Sequence, residues 1–244
     1  MPNAPAIRTL INGRWVARDE VLAWEAARLP KAARKIGLPV PGGSPARRRA
    51  AFAESKLALG ADEIRRRLHR DTRLADTIAR TATRLSRGHR ATSVCDLHVT
   101  GGSAEDFVRW FADTDRADYT RGMIAANPDH FLIDTAEGGR QEVVETTGGS
   151  PLATRFFVDY DDTASLVTPR DPAFPLDLSG AARDGRGHLM GGVRHEFRDE
   201  PDGFHARLRV EFPAFTAPHM INRHRWHLAC EFGNWIEFAF TGNQ

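Results

Sequence analysis

PHMINRHRWHLACEFGNWIEFAF, residues 218–240, reads as one amphipathic helix with polar groups set into its apolar side. Met220, His224, His227, Glu231, Trp235 and Phe238 recur at three- and four-residue steps and therefore share a face. His227 and Glu231 stand one turn apart, which projects an imidazole and a carboxylate together. Desolvating either group alone is costly, and a divalent ion is one way to make the placement favourable. A hydrogen-bonded His–Glu pair that supports a core helix is the other reading of the same spacing.

What this helix packs on is read from the segments before it. Residues 130–135, 141–147, 153–160, 188–199 and 204–212 are expected strands. In the last of these, Phe204, Ala206, Leu208, Val210 and Phe212 alternate with His205, Arg207, Arg209 and Glu211, giving one dry and one wet face. The same period sends His195 toward the core and His205 toward water, so only His195 is a site candidate. TSVCDLHVT, from Thr92, is a further strand, ended by Gly101-Gly102. Ser103 then opens a helix through Phe107, Trp110 and Phe111, with Asp106 completing a capping-box pattern. A second short helix or loop over 116–126 stops at Asn127-Pro128. The order is strand, two helices, antiparallel sheet, long final helix. It predicts an α+β fold in which a curved sheet grips the C-terminal helix and leaves a cavity between them.

The first part of the chain differs in character. Residues 1–95 carry 20 Lys+Arg against 8 Asp+Glu, a net +12, while 96–244 carry 14 against 24, a net −10. A strand or turn over 9–16, a helix near 20–28 and a Pro/Gly loop over 39–45 precede a helical stripe of Ile64, Leu68, Ala75, Ile78, Ala82 and Leu85 flanked by arginines. The chain therefore divides into a basic, mainly helical region, 1–95, and a second unit, 96–244. The thin apolar seam suits packing on another helix or on a second subunit, and a homodimer is expected. Clusters such as Arg65-Arg66-Arg67 invite a nucleic-acid reading, but residues 51–95 hold one aromatic, Phe52, and no nucleic-acid motif. A solvated basic face, or one docked on the acidic half, is expected instead, with no nucleic-acid partner. The opening MPNAPAIRTLINGRW lacks the apolar core of a signal peptide, and no run is long enough to cross a bilayer. With Cys95 and Cys230 the only cysteines, a soluble, cytoplasmic protein is expected, without a membrane partner.

NPDH at 127–130, VVETTGG at 143–149, the long strand pair over 188–212 and HLACE at 227–231 together resemble the 2,4-diacetylphloroglucinol hydrolase family, which includes phloretin hydrolase. The resemblance covers residues 105–244. It implies a helix-grip, Bet v1-like fold and one zinc ion per chain, held by His130, Glu145, His227 and Glu231. It further implies hydrolysis of the carbon–carbon bond between a phenolic ring and an acyl group of an aromatic ketone, with Tyr119 and His195 at the substrate. MIAANPDH has Met123 and Asn127-Pro128 where the family often has a tryptophan and a His-Pro, and HFLID lacks an expected asparagine; these departures bear on the substrate. Glu142 rivals Glu145 as a ligand, and Cys230, between two of the implied ligands, is expected to pack rather than coordinate. A non-enzymatic module that binds a hydrophobic small molecule is the alternative.

Overall fold

In the computed structural model, which describes residues 5–136 and 138–241, the chain is a mixed α+β structure with one large antiparallel sheet and a long C-terminal helix. The strands are β1 (Ala6–Ile11), β2 (Arg14–Val16), β3 (Arg90–Thr100), β4 (His130–Thr135), β5 (Gln141–Glu145), β6 (Thr154–Asp159), β7 (Leu176–Arg183), β8 (Leu189–Glu200) and β9 (Gly203–Pro213). Their order in the sheet is β2-β1-β3-β9-β8-β7-β6-β5-β4, so the sheet is open, with β2 and β4 as its edges. The helices are α1 (Arg18–Ile36), α2 (Pro45–Leu59), α3 (Ala61–Ser86), α4 (Ala104–Ala112), α5 (Tyr119–Ala125) and α6 (Pro218–Thr241).

The five expected strands and the final helix form within a few residues of their expected limits. Serine 103 caps α4 as its pattern predicts, with Ser103 Oγ accepting from Asp106 N at 3.1 Å. Strand β7 carries no alternation that sets it apart in the sequence, yet it is needed to join β6 to β8. The charge boundary near residue 95 falls inside β3, which pairs with β9 along eleven residues, from Arg90↔Pro213 to Thr100↔Gly203. Strands β1 and β2 extend the same sheet beyond β3.

The main core lies between the sheet and α6, where Leu97, Phe107, Phe197, Phe204, Leu208 and Phe232 are all fully enclosed. At its centre α6 is buried on every side, from His227 to Ile236, because α1 and α4 cover what the sheet leaves open. Gly233 sits where Arg18 of α1 crosses; a Cβ there would lie 2.7 Å from the guanidinium. A second core forms under the N-terminal helices, where Leu29, Ile36, Phe52, Ile64 and Leu68 meet Phe131 and Val144 of the sheet. Half of the α3 seam is thus buried within the chain, while Leu74, Ile78 and Leu85 stay exposed.

His205 does not face water, contrary to the alternation argument. It is 4 % exposed, as the chain between β6 and β7 straps across that face of the sheet. Phe174 packs edge-on against its ring, Asp171 pairs with Arg207, and Thr168 N donates to Glu211. Period two assigns the face correctly; burial of that face depends on a loop that periodicity cannot see. Among the described residues no helix is long and apolar enough to cross a membrane.

Candidate metal centre

Strand pairing and helical spacing bring four polar side chains to one point. Glu145 at the end of β5 is the direct cross-strand partner of His130 at the start of β4, so both project from one face. Facing them, α6 presents His227 and Glu231 one turn apart. His130 Nε2 lies 2.9 Å from Glu231 Oε2 and 3.1 Å from His227 Nε2. Glu145 Oε2 lies 3.6 Å from His130 Nε2 and 3.4 Å from His227 Nε2, and Glu231 Oε2 is 3.4 Å from His227 Nε2. All four residues are buried. His130, His227 and Glu231 form a group that could hold a metal ion, each offering a ligand atom within 4.8 Å of the others.

The donor chemistry suits a cation. His130 Nδ1 donates to the Met123 carbonyl at 3.1 Å, which leaves the Nε2 lone pair facing the cluster. An ion held by four tetrahedral ligands at about 2.0–2.1 Å separates them by about 3.3–3.4 Å. The five distances above, 2.9 to 3.6 Å, bracket that edge length. Two carboxylates buried side by side need compensating positive charge. Burial opposes charge on His227, but Glu145 and Glu231 outweigh it and raise the imidazole well above its usual value. Burial likewise opposes ionisation of Glu231, and His227 with His130 overcomes it, holding the carboxyl below the usual range. A proton on His227 meets this need, and a divalent ion meets it with greater charge.

Glu142 is not a rival to Glu145. Two faces alternate along β5, and Glu142 points to the other one, where Arg65 of α3 and Arg155 of β6 bind it at 2.6–3.0 Å. Cys230 is buried beside the Ala126 carbonyl, 3.6 Å away, and takes no part in the cluster.

The cluster forms part of the wall of a cavity of about 440 Å³. His195 lines it, 5 % exposed, with its ring edge-on to Phe232 at 4.7 Å and its Nδ1 without a hydrogen-bond partner among the described residues. Burial, reinforced by Arg209 and resisted by Glu231, pushes this imidazole down to about 4, so it is neutral at neutral pH. Tyr119 does not line the cavity. Its hydroxyl accepts from Gln141 Nε2 at 2.9 Å, and the Gln141 carbonyl oxygen accepts from the Tyr160 hydroxyl at 3.2 Å. Gln141 and Tyr160 are the members of this relay that reach the cavity. The sequence signal for Gln141 is parity alone, since Gln141, Val143 and Glu145 share a face of β5.

Four further residues support the site: Lys56 and Arg28, which nothing in the sequence singles out, and His224 and Trp235, which share the helical stripe of His227 and Glu231. Lys56 of α2 is fully enclosed and donates to the carbonyls of Ile124 and His130 at 2.7 and 2.6 Å, fixing the chain that enters β4. Burial lowers its ammonium to about 7. Arg28 of α1 forms a two-pronged pair with the buried Asp129, at 2.7 and 2.8 Å, one residue before His130. His224 stacks on His227 and meets Ser93 Oγ at 3.1 Å. Trp235 stacks on His130 with ring centroids 5.6 Å apart. In comparison with known proteins, no family model matches the chain, and no curated protein matches it in sequence.

Proposed function

We propose that the protein is a zinc-dependent hydrolase of aromatic ketones, cleaving the carbon–carbon bond between a phenolic ring and an acyl group to give a carboxylic acid and the deacylated phenol. The observation that carries this reading is the convergence of His130, His227, Glu231 and Glu145 on one point in the wall of a mostly apolar cavity. Nitrogen and carboxylate donors without paired cysteines suit zinc. The sequence resemblance supplies the substrate class, and with it the helix-grip architecture. When bound, the ion supplies Lewis acidity toward the acyl carbonyl and lowers the pKa of water toward ~7.

The chain's own residues do the rest. The apolar walls, including Val143, Phe156, Val193 and Phe232, take up a ring and its acyl chain and exclude water. Expelling a ring carbon requires that phenolic hydroxyls be held so the ring can take up charge as a keto tautomer. Neutral His195 has an Nδ1, unpartnered among the described residues, for one such hydroxyl. The Gln141–Tyr160 pair offers a donor to another, with Tyr119 acting from behind Gln141. The ring carbon takes its proton from water, either directly or through His195, which would first accept that proton and then hand it on.

Elemental analysis and a panel of acylphloroglucinols and simple acyl phenols test the reading together. About one zinc per chain and release of acid from the ketones are expected, with metal and turnover both lost in His227→Ala. Cleavage of phenyl esters alone would reassign the chemistry to ester hydrolysis. Binding of a hydrophobic ligand without turnover, by zinc-loaded protein, would favour the binding-module alternative, which the apolar lining of the cavity also suits. The proposal includes a homodimer formed through the exposed Leu74, Ile78 and Leu85; a strict monomer by light scattering at micromolar concentration would remove that part alone.

A further inference from the structure

The face of the sheet turned away from the cavity carries a second set of imidazoles. His98 of β3, Glu200 at the end of β8 and His205 of β9 each bring a ligand atom within 4.8 Å of the others. Register explains the meeting. His98 and His205 are direct partners across the β3–β9 ladder, and their rings stack with centroids 4.1 Å apart. Glu200 lies two residues beyond Arg198, the β8 partner of His205, and so shares their face as a diagonal neighbour. Its Oε2 is 3.2 Å from His98 Nδ1, and its Oε1 is 3.8 Å from His205 Nδ1.

The state of His205 decides what this cluster is for. Its Nε2 donates to Asp96 Oδ1 at 2.8 Å, and Asp96 is itself held by Arg207 Nε at 3.2 Å. That bond places a proton on Nε2, so in the neutral imidazole Nδ1 is a lone pair, buried and without a hydrogen-bond partner among the described residues. A lone pair facing a carboxylate is a contact between two acceptors, which a cation between them turns from repulsive to favourable. An imidazole whose far nitrogen is fixed by a carboxylate is also the usual setting of a ligating histidine. Arg198 approaches Glu200 Oε1 at 3.4 Å, while Oε2 meets His98 Nδ1 at 3.2 Å, so a cation would take the place of the proton that the two share.

We propose that His98, Glu200 and His205 form a second divalent-cation site, independent of the cavity cluster, that takes a borderline ion such as Ni²⁺, Cu²⁺ or Zn²⁺. Two imidazoles and one carboxylate match the ligand preference of these ions over Mg²⁺ or Ca²⁺, and water completes the shell on the exposed side. The ion ties the ends of β3, β8 and β9 together. This end of the sheet already bears on α4, since Asp199 Oδ1 accepts from Ala104 N at 2.7 Å, and α4 in turn packs on α6.

Trp15 of β2 lies edge-on to His98, with centroids 5.3 Å apart, and is the reporter for the test. Untagged full-length protein, stripped of metal with a chelator and dialysed, is titrated with Ni²⁺ while tryptophan emission and bound nickel are followed. One bound Ni²⁺ per chain is expected to quench emission, and that quenching should be absent in Trp15→Phe. His98→Gln and Glu200→Gln should each weaken binding at least tenfold, whereas His227→Ala should leave it intact. His98 is a third exposed in its side chain, so its variant is expected to fold even if substitution of buried His205 is not tolerated. No nickel-dependent quenching of wild-type protein, or quenching unchanged by His98→Gln, would overturn the proposal. Loss of nickel binding in His227→Ala would do so too, by assigning the ion to the cavity.

Discussion

Replacing Arg28 by methionine tests whether the N-terminal helices hold the His130–Glu145–His227–Glu231 cluster in place. Asp129 is 0 % exposed, and its carboxylate takes two hydrogen bonds from Arg28 and a third from the Thr146 hydroxyl. Methionine retains much of the stem volume and removes the charge, leaving a carboxylate whose remaining hydrogen bond among the described residues is from Thr146. Breaking one side of a buried pair typically costs about 3–5 kcal/mol, and the surviving hydroxyl places this case near the lower end, at about 3 kcal/mol. Asp129 directly precedes His130, and its carbonyl accepts from Thr146 N at 3.2 Å, so a shift there misaims the ligands from both β4 and β5. A support of this kind is worth roughly 10–100-fold in metal affinity. Urea denaturation in chelator isolates the stability term, and competition against a chromophoric chelator gives the affinity. The double variant Arg28→Met/Asp129→Asn removes the stranded charge and should recover most of the stability, because replacing both partners of a buried pair is far cheaper than removing one. A single variant that loses less than about 1 kcal/mol, or a double variant no better than the single, would refute the reasoning.

Other outcomes follow from the same geometry. Glu145→Gln should lose most of its metal, whereas Glu142→Gln should keep it and lose about 1–3 kcal/mol of stability from its contacts with Arg65 and Arg155; equal metal loss in both would contradict the facing of β5. Gly148 adopts φ +59° and a Cβ there would sit 2.9 Å from His224 N, so Gly148→Ala should cost about 2–4 kcal/mol, as overpacking adds to backbone strain. An unchanged midpoint in thermal denaturation would show that the turn does not bear on α6. The folded-state pKa of His195, about 4, lies below the ordinary 6.5. The unfolded chain therefore takes up the proton first, and stability present above pH 6.5 is lost as pH falls toward 4, by up to about 3 kcal/mol. His195→Gln should lack that part of the acid slope, and a parallel slope in the two proteins would count against a buried neutral imidazole.

Legibility in the sequence followed locality. The spacing of His227 and Glu231 is a property of one helix, and the face of His195 is a property of one strand; both were readable before any tertiary structure. The partnership of His130 with Glu145 depends on the register between β4 and β5, including the irregularity after His130, and only the resemblance suggested it. Lys56 was unreadable as a site residue because nothing local distinguishes a lysine that caps carbonyls 70 residues away from one that meets solvent. The burial of His205 failed for the same reason, since Phe174 and Asp171 come from a strap with no periodic pattern of its own.

The charge asymmetry gains its meaning from these long-range pairs. Arg28, Arg65 and Arg80, from the +12 half, reach Asp129, Glu142 and Asp184 in the −10 half, and each of these carboxylates is nearly or wholly buried. Exposed ion pairs contribute little, but a buried carboxylate that loses its cation is strongly destabilised. The asymmetry is therefore satisfied in part inside the molecule, and two of its pairs fall on the strands that carry His130 and Glu145 or on the turn just before them. Ala75, Ile78 and Ala82 of α3 also form part of the cavity wall. The basic helices thus clamp the backbone behind two of the proposed ligands on one side and form part of the cavity wall on the other, so the geometry of the cluster depends on residues that bear none of its chemistry.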